Sequence, residues 1–147
     1  MTPDSAVGNW QVWACLAALF AAATALLAKL GVAGISPDLA TLLRTLVVLL
    51  ALTGLMAATG QLRWQDLQRI PQTTLIALLL SGLATGASWL CYFRALAQGP
   101  VSRVAPIDKL SVVLVALIGV SLLGETLSVR AWIGVGLIAA GGVLVAL

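Results

Sequence analysis

Residues 39–59 read LATLLRTLVVLLALTGLMAAT, an apolar run whose single charge is Arg44. A bilayer's hydrocarbon core is about 30 Å thick and a helix rises about 1.5 Å per residue, so about 20 such residues cross it. The run lacks the alternation of a barrel strand, and in lipid a helix satisfies its own backbone N–H and C=O groups. It therefore reads as a spanning helix. Working outward, four more stretches share its character, near 10–30, 74–97, 103–123 and 130–147. The connections carry breakers: Gly31, Gly34 and Ser36-Pro37, then Gly60 and Pro71, then Gln98-Gly99-Pro100, then a turn from Gly124 to Ser128. They are short, so consecutive helices run antiparallel. The expected fold is an all-α integral membrane bundle of five transmembrane helices.

Composition agrees. The chain has 147 residues, 61% of them hydrophobic and 9% charged, where a soluble domain carries roughly 25% charged residues. In water such a surface would expose large apolar patches; the lipid bilayer is the solvent that suits it. The net charge is +3, but Lys and Arg are scattered and form no basic stripe with interleaved aromatics, so nucleic acid is not a partner. A mild positive excess suits anionic headgroups instead. There is no His, which removes His-held metal sites and imidazole catalysis. No P-loop, HExxH or GxSxG is present, so neither an enzyme nor an ATP-driven pump is expected, and no cofactor or metal. Cys15 and Cys91 read as small buried hydrophobes. Residues 1–9 lack Lys and Arg, so the first apolar run reads as a retained helix rather than a signal peptide.

Trp10, Trp13, Trp64 and Trp132 fall near helix ends, where indole favours the headgroup zone. Residues 62–70, with Arg63, Trp64, Asp66, Leu67 and Arg69, read as an interfacial segment. Orientation is balanced. Arg63, Arg69 and Arg130 lie on the side of the N-terminus, while Lys29, Arg94 and Arg103 lie on the other, with Arg44 and Lys109 deeper. Positive charge fixes orientation through such totals, so two readings stand: dual topology, or one orientation set by the small excess. An odd helix count adds that a duplicated unit would insert inverted. Many transporters are built from inverted repeats with the substrate site between them. The chain thus reads as half of an inverted-repeat transporter, completed by homodimerisation.

Charges inside spans cost about 2.5–3.5 kcal/mol each on insertion scales and need a reason. Arg44, Arg94, Asp108 and Lys109 qualify, and alternating helix directions put them, with Lys29 and Arg103, at one mouth of the bundle. Snorkelling to the headgroups is the plain reading of Arg94 and one of two for Arg44. Asp108 is too short to snorkel. It requires either a salt bridge to Arg44, Arg94 or a partner chain, or a role as a substrate- or proton-binding carboxylate. Lys109 points about 100° away from it on a continuous helix. Pro106 is either a helix-start proline or a break that frees carbonyls beside Asp108. Trp89 and Phe93 share a face of the third helix with Tyr92 adjacent, a packing stripe or a wall for organic cations or ring-bearing solutes. Gly82 with Gly86, and Gly136 with Ala140, have the spacing of close helix contacts; with Gly134 they are candidates for helix packing or the dimer contact.

Several of these pieces form a pattern. The link "AL…GP…RVAP" between helices three and four, "LLGE" at Gly124-Glu125 and "GxxLI…GG" in helix five resemble the EamA domain of the drug/metabolite transporter superfamily. The stretch ALLAKLGVAGISPDLATLLRTLVVLL, with Lys29 and Arg44, is similar to that family's first two helices. The resemblance covers nearly the whole chain. Family members carry two five-helix units in inverted orientation and export or exchange small metabolites, so a single unit implies an antiparallel homodimer. The four-helix small multidrug branch uses a Glu in its first helix; here no acidic residue lies between Asp4 and Asp38, and that mechanism does not carry over. The expectation is a secondary transporter of a small metabolite or drug-like solute across the bacterial inner membrane, by alternating access. Asp108, Lys109, Arg44, Trp89, Tyr92, Arg94 and Lys29 would form the pathway, and the cationic excess favours an anionic or zwitterionic solute. The rivals are a non-transporting membrane subunit packed against a larger partner and an uncoupled channel.

Overall fold

The computed structural model describes residues 9–63, 65 and 68–147. Its described residues form helices and no strand: α1 Asn9–Gly31, α2 Pro37–Ala58, α3 Gln72–Gln98, α4 Val101–Asp108, α5 Ser111–Leu122 and α6 Val129–Ala146. Five segments are long and apolar enough to cross a membrane, with Val101–Leu122 making one span from α4 and α5. The five-helix expectation holds, with bounds within two residues at each end. Trp64, Asp66 and Leu67 of the interfacial segment lie outside the described residues.

Local chemistry explains the ends. Ser36 caps α2, its hydroxyl accepting from the Leu39 N–H at 3.2 Å, and Pro37 follows in the first turn, where its missing N–H costs nothing. Ser128 caps α6 in the same way through Ala131 N–H. Gly60 and Gly124, with φ of +67° and +66°, make the turns after the second and fourth spans; that left-handed conformation suits a residue without Cβ.

The fourth span is not continuous. Pro106 lies inside α4, which stops at Asp108, and α5 begins only at Ser111. Proline supplies no N–H to the carbonyl of Ser102 and its ring crowds that turn. Past it the ladder tightens: Leu110 N–H donates to Ile107, Val112 N–H to Lys109 and Val113 N–H to Leu110, the spacing of a 3₁₀ turn. The breaking role of Pro106 is therefore the one the chain adopts.

The helices fall into two compact units, α1 with α4, α5 and α6, and α2 with α3. In the first, α6 packs against α4 and, less extensively, α5. Gly142 is buried at that contact, where an added Cβ would stand 3.1 Å from the Pro106 carbonyl oxygen and 3.3 Å from a Leu110 methyl. In the second, the buried residues include Ala40, Thr41, Phe93 and fully enclosed Leu96. Elsewhere large apolar side chains cover the surface, among them Leu50, Leu83, Leu122 and Leu137, as lipid contact demands. Cys15 and Cys91 are exposed rather than buried: each belongs to that outward apolar surface, which hydropathy does not separate from a core.

Candidate functional site

Among the described residues, two charged arrangements and a cavity stand out from general helix packing. The first lies at the break in the fourth span. Lys109 follows α4 as its cap and its ammonium lies 3.2 Å from the Asp108 carboxylate. Lys109 and Leu110 keep right-handed dihedrals, with ψ of −9° and −18°. The chain thus passes from α4 to α5 through a tightened turn, and there the two neighbouring side chains meet. A carboxylate at a helix C-terminus faces the negative end of the dipole, so a cation there offsets both. Within its own unit Asp108 is thus paired with its sequence neighbour. Arg103 is exposed on α4.

The second arrangement belongs to α2 and α3. Arg94 holds Asp38 bidentately, Nε to Oδ1 and Nη2 to Oδ2, both at 2.8 Å. Arg94 therefore does more than snorkel. Asp38 is missing from the sequence-based candidates because the second span was taken to begin at residue 39; α2 starts at Pro37, which brings this carboxylate into the first turn. Farther along both helices, the Arg44 guanidinium lies 4.0 Å from the centroid of Trp89 and 5.6 Å from that of Phe93, a cation–π stack. The aromatic stripe is occupied by the protein's own cation. Tyr92 is half-buried on the adjoining face of α3.

From this stack runs a cavity of about 430 Å³ between α2 and α3, lined by Thr45, Val48, Leu49 and Leu52 on one side and by Leu78, Ser81, Gly82, Thr85, Gly86 and Trp89 on the other. Its size falls in the range of small-molecule clefts. The hydroxyls of Thr45 and Thr85 donate to the carbonyls of Thr41 and Ser81 one turn back, so they present little polarity. No charged residue lines it.

The other candidates sort as follows. Lys29, in α1, donates from its ammonium to the Gly99 carbonyl at 2.8 Å, tying down a chain break between helices. Gly82 and Gly86 stand open on the cavity, with nothing within 4 Å of an added Cβ, and Gly134 and Gly136 are equally open on α6; Ala140, on the same helix, is exposed. Close approach inside the chain falls to Gly142 instead. Glu125, which the sequence offers only as part of LLGE, folds its carboxylate back to 2.6 Å from the site of a Gly119 Cβ while its N–H bonds the Gly119 carbonyl. The left-handed Gly124 that turns the chain back was the available signal.

Comparison with known proteins gives a consistent picture. A model of the EamA-like transporter family matches residues 8–147. A protein of Sinorhizobium sp, named as an uncharacterized transporter in cobO 3'region, is 57% identical over 138 residues, covering 94% of this chain and 96% of that protein. No solved structure matches the chain.

Proposed function

Because the chain belongs to the EamA-like transporter family and is a multi-pass membrane transporter of the drug/metabolite type, we propose that it is a secondary exporter or exchanger of a small metabolite or drug-like solute. It works by alternating access in the bacterial inner membrane. The observation that carries this reading is the fourth span, interrupted at Asp108 by Pro106 with an ion pair set in the break. Discontinuous helices with freed carbonyls and charges are how transporters place solute and ion sites at membrane depth. Asp108 with Lys109 is the switch: protonation or ligand binding at the carboxylate releases the ammonium.

A second copy, antiparallel to the first, completes the unit. The relative matched over 96% of its length is also about one such unit long. The open positions Gly134 and Gly136 together with Ala140 are suited to a helix of the partner, while Gly82 and Gly86 leave room in the cavity. A passive subunit would also neutralise its charges pairwise, as Arg94–Asp38 and Lys109–Asp108 do. The cavity and the stacked Arg44 beside it favour transport over that reading.

The test is exchange of labelled metabolites by purified protein in proteoliposomes. Saturable counterflow is expected, and Asp108→Asn should abolish it while eluting as the same monodisperse species. Full activity in Asp108→Asn would remove the switch. Ohmic conductance in a planar bilayer would identify a channel instead, and no flux across the panel would favour the passive subunit.

A further inference from the structure

Within the α2–α3 pair the charges do not cancel. Asp38 is committed to Arg94 through both carboxylate oxygens, and the other ion pair among the described residues is Lys109 with Asp108. Within this unit no carboxylate pairs with Arg44; it rests on the rings of Trp89 and Phe93 and has the Tyr92 phenol as a further electrostatic neighbour. A guanidinium presents five N–H donors in a plane. Stacking uses its faces and leaves the edges, the geometry that grips a carboxylate bidentately. A half-buried cation in a spanning helix with unfilled donors is costly, and a bound anion would offset that cost.

The cavity says what that anion carries. Thr45 and Trp89 form its end nearest Arg44: Arg44 precedes Thr45 directly and lies one turn before Val48, while its guanidinium rests on Trp89. From there the walls are mostly aliphatic or glycine, with the hydroxyls of Thr45 and Thr85 bonded to their own helices and the Ser81 hydroxyl as the further polar group. No acidic side chain lines the cavity, so an ammonium on the ligand would find no counter-charge there.

Resting on the transporter reading, we propose that Arg44 anchors the carboxylate of a small amphipathic monocarboxylic acid whose uncharged apolar body occupies the α2–α3 cavity. The site takes acids, and discriminates against amines and against zwitterions of the same body. Trp89 is a positioning residue that holds the guanidinium edge toward the cavity end.

Binding, measured apart from flux, tests this. Purified protein in phosphatidylcholine nanodiscs is titrated calorimetrically with 4-phenylbutyrate, 4-phenylbutanamide, 4-phenylbutylamine and 2-amino-4-phenylbutyrate. These share one body and differ in head charge. The acid should bind about tenfold or more tightly than each of the others, the size of effect a charge-assisted bidentate contact gives. Arg44→Gln should erase the preference. Arg44→Lys keeps the charge and loses the planar fork, so it should retain the preference at several-fold lower affinity; this covers the case in which the Gln variant fails to fold. Equal affinity for acid, amide and amine overturns the assignment. So does acid binding that survives Arg44→Gln undiminished, which would place the acid away from Arg44. Acid binding without flux in any proteoliposome assay would reject transport and keep the anchor; flux without a charge preference would do the reverse.

Discussion

At the scale of single residues, two glycines separate a rigid neighbour from a compliant one. A Cβ on Gly142 meets the backbone carbonyl of Pro106 at 3.1 Å, and a Cβ on Gly119 meets the tip of the Glu125 side chain at 2.6 Å. The shorter contact is the cheaper one to relieve, because a carboxylate swings on three torsions while a helix backbone must translate. Gly142→Ala should therefore destabilise the protein by about 1–3 kcal/mol, the usual cost of overpacking, despite the roughly 0.5–1 kcal/mol that alanine brings to a helix. Gly119→Ala should be close to neutral, and Gly54→Ala, with nothing within 4 Å, neutral or stabilising. Denaturant titration in micelles, followed by tryptophan fluorescence, ranks the three. A Gly142→Ala variant as stable as the parent would mean that α4 and α6 can part without loss. None of this order was legible in the sequence, where helix five carries several glycines of equal standing; which one meets another backbone depends on the rotation of α6 about its axis.

At the scale of elements, the broken fourth span can be separated from its charges. Pro106→Ala restores the missing N–H for the Ser102 carbonyl and removes a clash, so α4 should run on into α5. An interior proline costs about 3 kcal/mol, and part of that should return as stability. Asp108 and Lys109 would then diverge around a continuous helix, so flux should fall while the melting temperature rises. Flux unchanged at higher stability would show that the interruption is incidental. The spans themselves were plain in the sequence because hydropathy over about 20 residues is a local sum. The break was not, because Pro106 falls in the first turn if the helix begins at residue 103 and in the interior if it begins at Val101. The two-residue difference decides between a start and an interruption. The same shift of bounds hid Asp38 and with it the partner of Arg94. The Arg44 stack was half legible: Trp89 and Phe93 at i, i+4 announced a face, but not that an arginine of α2 would lie on it.

At the scale of the whole molecule, the proposed antiparallel pair makes a demand on insertion. One sequence must enter the membrane both ways, which requires that its positive charges fix neither orientation. Arg63, Arg69 and Arg130 on one side stand against Lys29, Arg94 and Arg103 on the other, with Arg44 and Lys109 deeper on that second side. Such a near balance is what insertion both ways needs. Acidic partners alter this little, since orientation follows Lys and Arg rather than net charge; the Asp38–Arg94 pair does not remove Arg94 from the count. Reporters active on only one side of the membrane, fused in turn to each terminus, should therefore find each terminus on both sides. Balance of this kind is fragile. Two lysines inserted beside Arg69 should lock the chain one way, and two beside Arg103 should lock it the other. Each locked variant alone should lose exchange activity, because it lacks an inverted partner, and co-expression of the two should restore it. A locked variant that transports unaided would break the argument at its base: a single orientation would then suffice, and the missing half of the pathway would have to come from a parallel copy or from a different protein.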